Sequence, residues 1–95
     1  MDAEPLMNER HVMDEGTFVE IVIWRVPRPL RASKHRFKYR LALVSEGVCV
    51  LRYDNEAGKG DHRHLQDKEM PYVFTSPEAL LAEFWADVEN WRRKR

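Results

Sequence analysis

The stretch RFKYRLALVSEGVCVLRY, residues 36–53, decides the fold. Phe37, Tyr39, Leu41 and Leu43 alternate with Arg36, Lys38, Arg40, Ala42 and Val44, the period of a strand with one face turned to a core. Glu46-Gly47 is a turn signal, and Val48-Cys49-Val50-Leu51-Arg52-Tyr53 reads as a second strand, so the pair forms an antiparallel hairpin. Cys49 sits between two valines and reads as a small core residue. Arg36, Lys38 and Arg40 place three cations on one strand face.

Upstream, Thr17–Val26 (TFVEIVIWRV) is rich in β-branched and aromatic residues, apolar at both parities. That suits a strand covered on both sides or one used in an oligomer contact such as a homodimer. Pro27 and Pro29 remove two backbone donors, so residues 28–34 form a connecting loop. Residues 1–16 are polar and without sustained period, which predicts a polar N-terminal arm, frayed or forming one short helix.

Downstream, Pro71-Tyr72-Val73-Phe74 reads as a short edge strand or an extended link. Thr75-Ser76-Pro77-Glu78 carries a helix start, with Ser or Thr as cap, proline in the first turn and an acid against the dipole. Leu80, Leu81, Phe84, Trp85, Val88 and Trp91 then recur at three- and four-residue steps, with Glu83, Asp87 and Asn90 on the opposite side. The whole reads as an α+β fold: a small antiparallel sheet of three to four strands with a C-terminal amphipathic helix packed on one face. Residues 17–95 form its single domain, with 1–16 as the arm.

Length and composition agree. Ninety-five residues with 43% hydrophobic and 11% aromatic content suit one small folded domain, and no apolar run is long enough to cross a membrane. One cysteine rules out a disulfide framework and a four-cysteine zinc site, and no signal peptide is visible at the N-terminus, so the expected location is the cytoplasm. A net charge of zero hides a separation. Residues 25–40 hold seven cations and no acid, and 92–95 hold four more, while the segments between are acidic. Such patches steer a polyanion to one place, although a solvated strand face and loop explain them equally well.

The most unusual segment is Asp54–His64, which gathers Asp54, Asn55, Lys59, Asp61, His62, Arg63 and His64 around Gly58 and Gly60, with no aliphatic residue larger than alanine. It reads as a functional loop held outside the core. The GKG triplet lacks P-loop spacing, which excludes a nucleoside triphosphatase. His62 and His64, two residues apart, face one side of an extended backbone, and Asp61 and Arg63 the other.

Three readings of the histidines stand open. One is acid–base catalysis on an RNA phosphodiester, with Lys59 or Arg63 stabilising the phosphorane. A second is a divalent metal held by His62, His64 and Asp54 or Asp61. A third is structural, with the carboxylates capping backbone donors. On the first reading the catalytic candidates are His62, His64, Lys59, Asp54 and Asp61, with Arg36, Lys38, Arg40, Arg52 and Arg63 as nucleic-acid contacts and no metal or other cofactor. Tyr39 and Tyr53 read as core residues with a polar tip, and His11 and His35 receive no role.

The order Phe37-Lys38-Tyr39-Arg40-Leu41, Leu51-Arg52-Tyr53-Asp54-Asn55, Gly58-Lys59-Gly60-Asp61-His62-Arg63-His64, Pro71-Tyr72-Val73-Phe74 and an amphipathic helix over 80–91 resembles the TumE-type proteins of bacterial toxin–antitoxin operons. The likeness runs over residues 17–91, and its most specific part is YDN followed by GKGDHRH. It implies the toxin of a type II pair, cytoplasmic and neutralised by a helix-turn-helix antitoxin encoded beside it. It assigns no catalytic residue, and an RNA target follows only by analogy with other compact toxins of such operons. The alternative is a noncatalytic protein-interaction module.

Overall fold

A computed structural model describes residues 2–55 and 58–94. Glu56 and Ala57, inside the polar stretch, and Arg95, in the basic tail, therefore lie outside the described residues.

The hairpin read from residues 36–53 is present as β3 (Phe37–Ser45) and β4 (Val48–Asp54). Its two-residue turn places both Glu46 and Gly47 at positive φ, 51° and 77°, the backbone that matches strand twist in a tight hairpin. Strand β2 (Thr17–Arg25) pairs with β3 without a break, from Thr17 opposite Ser45 to Arg25 opposite Phe37. The two apolar parities of β2 separate: Val19, Ile21 and Ile23 are buried, while Phe18, Val22 and Trp24 are half-buried on the other face.

The sheet is larger than three to four strands. Six antiparallel strands run in chain order, with β1 (Glu4–Asp14) and β6 (Lys68–Pro71) at the edges and β5 (His62–Leu65) beside β4. Residues 4–14 thus form an edge strand paired along β2, not a frayed arm or a helix. As an edge, β1 needs little apolar alternation: Met7 and Met13 pack against the core and most other positions are exposed, which is why its sequence looks irregular. The second addition is the β5–β6 hairpin, whose turn at Gln66-Asp67 carries no glycine.

Helix α1 (Pro77–Arg93) begins where the cap signature places it, with the Ser76 hydroxyl accepting the Ala79 N–H at 3.1 Å. It buries Leu80, Phe84 and Val88, and these join Val19, Ile21, Ile23, Tyr39, Leu41, Leu43, Leu51 and Tyr53 in one core. The helix covers one face of the sheet. On the other face β2, β3, β4 and β5 present Trp24, Val22, Lys38, Arg40, Arg52, Asp54, His62 and His64, all exposed or half-buried except Asp54. No helix among the described residues is long and apolar enough to cross a membrane.

Candidate active site

The strand ladder sets the site. Arg40, Asp54 and His62 stand side by side across β3, β4 and β5, and Ala42, Arg52, His64 and Glu69 form the next row across to β6. Alternation therefore brings His62 and His64 to the open face with Arg52 and Asp54, as their two-residue spacing requires. Together with Lys59 and Glu69 they line a small pocket of about 60 Å³.

Both imidazoles converge on one carboxylate. His62 Nδ1 lies 3.0 Å from Glu69 Oε1 and His64 Nε2 lies 3.5 Å from Glu69 Oε2. The partners of the two rings differ in kind. His62 Nε2 is 2.5 Å from the Lys59 carbonyl, which can only accept, so that nitrogen donates. His64 Nε2 is 2.9 Å from an Arg52 guanidinium nitrogen, which can only donate, so that nitrogen accepts. Arg52 Nε also approaches Asp54 Oδ2 at 3.0 Å. Arg52 Nε and His62 Nδ1 are buried and near carboxylates, yet neither makes an aligned hydrogen bond.

Asp61 and Arg63 do not join this pocket. Asp61 accepts hydrogen bonds from Ser33 Oγ at 3.0 Å and from the Tyr39 hydroxyl at 2.7 Å, and its Oδ2 lies 2.7 Å from His35 Nε2. The Asp61 carbonyl also accepts the Tyr72 N–H. Asp61 therefore fastens the glycine segment to the loop after β2. In the same seam the Gly58 N–H donates to the Arg31 carbonyl at 2.7 Å, and Phe74 stacks on His35 with centroids 3.9 Å apart. Burial, and then the bond to Asp61, push the Tyr39 phenol well above its ordinary range. Arg63 turns to the helix side, where its Nε donates to Asp87 at 2.8 Å and its guanidinium lies over the Tyr53 ring. The Asp87 hydrogen bond raises Arg63, and burial followed by the same carboxylate raises Tyr53. Asp87 is thus part of a packed clamp rather than of a solvated helix face.

Of the other expected nucleic-acid contacts, Lys38 and Arg40 are exposed on the open face. Arg36 precedes β3 by one residue, lining a separate cleft with Asp2, Glu4, Arg25 and Phe37. Asn55, first seen as part of a stretch outside the core, is 1% exposed. Its Oδ1 accepts the Tyr39 N–H at 2.9 Å and its Nδ2 donates to the Phe37 carbonyl at 2.6 Å, replacing the ladder where β4 has ended. Sequence reasoning missed Glu69 and His35. Glu69 could have been found from register, since a two-residue turn after Leu65 sets it opposite His64. His35 carries no comparable signal, because its partner Asp61 is 26 residues away.

Among the described residues, no group of three or more His, Cys, Asp or Glu side chains is arranged to hold a metal ion. A family model described as Toxin TumE matches residues 2–92, nearly the whole chain. No curated protein and no solved structure matches it.

Proposed function

Since the chain belongs to the TumE toxin family, we propose that it is the toxin of a type II pair and that it cleaves RNA with His62 and His64. On this reading it works in the cytoplasm and is neutralised by a helix-turn-helix antitoxin encoded beside it. The observation that carries the catalytic reading is the convergence of both imidazoles on Glu69 beside Arg52. Two buried nitrogens there, on Arg52 and His62, have no aligned acceptor, and a phosphate oxygen would supply one.

The roles follow from the hydrogen-bond partners. His64, whose Nε2 accepts from Arg52, is the neutral ring; once the Arg52 N–H turns to the incoming phosphate, that lone pair takes the proton from the ribose 2′-hydroxyl. The 2′-oxygen attacks phosphorus, the bond from phosphorus to the 5′-oxygen breaks, and His62, entering the step as the imidazolium with its Nε2–H kept on the Lys59 carbonyl, gives its Nδ1 proton to the departing 5′-oxygen. The products are a 2′,3′-cyclic phosphate and a 5′-hydroxyl end, and the step needs no redox partner. Arg52 and Lys59 stabilise the added negative charge of the phosphorane. Glu69, with its side chain 49% exposed on an edge hairpin, moves aside as the phosphate enters. Asp54 holds Arg52.

Purified protein incubated with total RNA tests this. Cleavage should fall roughly 10²- to 10⁴-fold in His62→Ala and His64→Ala while thermal stability is kept. An intact parent that leaves RNA uncut at every pH and metal condition sinks the catalytic reading. It would favour the noncatalytic interaction module, for which the exposed apolar side chains of β1, Leu6 and Val12, speak.

A further inference from the structure

The open face of the sheet holds a tryptophan for which packing gives no account. Trp24 is half-buried on the side of β2 away from α1, with Pro5 and Lys38 as its register partners. It is not among the side chains packed on the core, and among the described residues no aromatic ring lies against it. By contrast, Trp85 and Trp91 both pack against the core from α1.

Position gives it a context. Arg40 and His62 both stand opposite Asp54, two strands apart, or about 10 Å at the usual strand spacing. Lys38 lies one side-chain row beyond Arg40 on the same strand, and Trp24 is beside it. Trp24 thus lies about 16 Å from His62 in a straight line, three strands across and two residues along, a span of a few nucleotides. Lys38 and Arg40 form no ion pair with another described residue, so both charges face solvent along this path. Cations beside a flat indole on a sheet surface are the elements with which proteins hold single-stranded RNA: charge for the backbone, a π-face for an unstacked base.

We infer that the open sheet face is a track for single-stranded RNA, with Lys38 and Arg40 on its phosphates and Trp24 stacking a base a few nucleotides from the scissile bond. This rests on the RNA reading of the His62–His64 pocket and adds the substrate class: an unpaired segment rather than a duplex, whose stacked bases could not reach Trp24. Trp24 is a binding residue here and takes no part in proton transfer.

A short 2′-O-methyl oligoribonucleotide tests the track without cleavage, because it lacks the attacking hydroxyl. Binding by fluorescence anisotropy should weaken about 10-fold or more in Trp24→Leu, recover in Trp24→Phe, and keep its salt slope in both. The double variant Lys38→Gln with Arg40→Gln should lower the slope of log affinity against log salt by roughly 1.4. The same strand annealed to its complement should bind more weakly than the single strand. Equal binding by Trp24→Leu and the parent overturns the track, as does a duplex that binds as well. If Trp24→Leu instead loses only the antitoxin, the face is a protein interface and the track is equally overturned. An oligonucleotide held as expected by a protein that never cuts RNA would remove the catalytic proposal and leave the track. Cutting that continues unchanged in Trp24→Leu would do the reverse.

Discussion

Replacing Asn55 with alanine removes two hydrogen bonds from a position that water does not reach. Strand β4 ends in register at Asp54 opposite Arg40, and one residue later the Asn55 side chain takes over as the partner of β3. Alanine would leave the Tyr39 N–H and the Phe37 carbonyl without their acceptor and donor. An orphaned buried polar group costs about 1–3 kcal/mol, so the pair together cost about 3 kcal/mol when relaxation returns part of the loss. For a domain of this size that lowers Tm by roughly 12–24 °C. Asn55→Asp separates hydrogen bonding from shape. It keeps an acceptor for Tyr39 but sets an oxygen against the Phe37 carbonyl, and it places a charge where exposure is 1%. It should destabilise at least as much as alanine. Calorimetry or urea titration of the three proteins decides the matter. A loss below about 1 kcal/mol in Asn55→Ala, or an aspartate variant as stable as the parent, would show that the side chain does not stand in for the ladder.

Stability should also fall in alkali. Phenols of the unfolded chain ionise near pH 10, whereas burial and the carboxylates of Asp61 and Asp87 hold Tyr39 and Tyr53 protonated to higher pH in the folded state. The folded protein then keeps protons that the unfolded chain has released, so stability is unaffected below about pH 10 and declines above it, by about 1.4 kcal/mol per pH unit for each tyrosine. Equal urea midpoints at about pH 9 and about pH 11 would contradict this. Gly60→Ala places a Cβ 3.1 Å from the Ala32 carbonyl oxygen at a φ of +76°, and should cost about 1–2 kcal/mol, read as a fall in Tm. Ser76→Ala removes the acceptor at the start of α1 and should cost about 1 kcal/mol by urea titration.

The hairpin and the helix were legible because each carries a periodic signal over many residues together with its own turn or cap chemistry. Residues 36–53 alternate and are joined by Glu46-Gly47, and Ser76-Pro77-Glu78 announces the run that ends in the arginines after Trp91. Edges are harder. β1 meets the core through two methionines, and β5 and β6 are four residues each with a turn at Gln66-Asp67, too short and too plain to show a period. The site followed the same division. Spacing alone separated His62 and His64 from Asp61 and Arg63, since strand parity needs no tertiary information. What Asp61 and Arg63 do on their own side depends on Ser33, His35 and Asp87, which lie 24 to 28 residues away. Glu69 reached the histidines through the β5–β6 hairpin, whose strands are too short to show a period and whose register follows only once its two-residue turn is known.

Neighbours in the chain at 61 and 62 thus serve different masters. A genetic screen for loss of toxicity would score both positions alike and draw a single catalytic cluster around them. Yet a chain altered at Asp61 would lose a seam of the protein's architecture, whereas one altered at His62 would lose only contacts at the sheet's open edge, to Glu69 and the Lys59 carbonyl. Abundance measured alongside toxicity is what tells them apart: a position whose loss lowers both belongs to the scaffold, and one whose loss spares abundance does not.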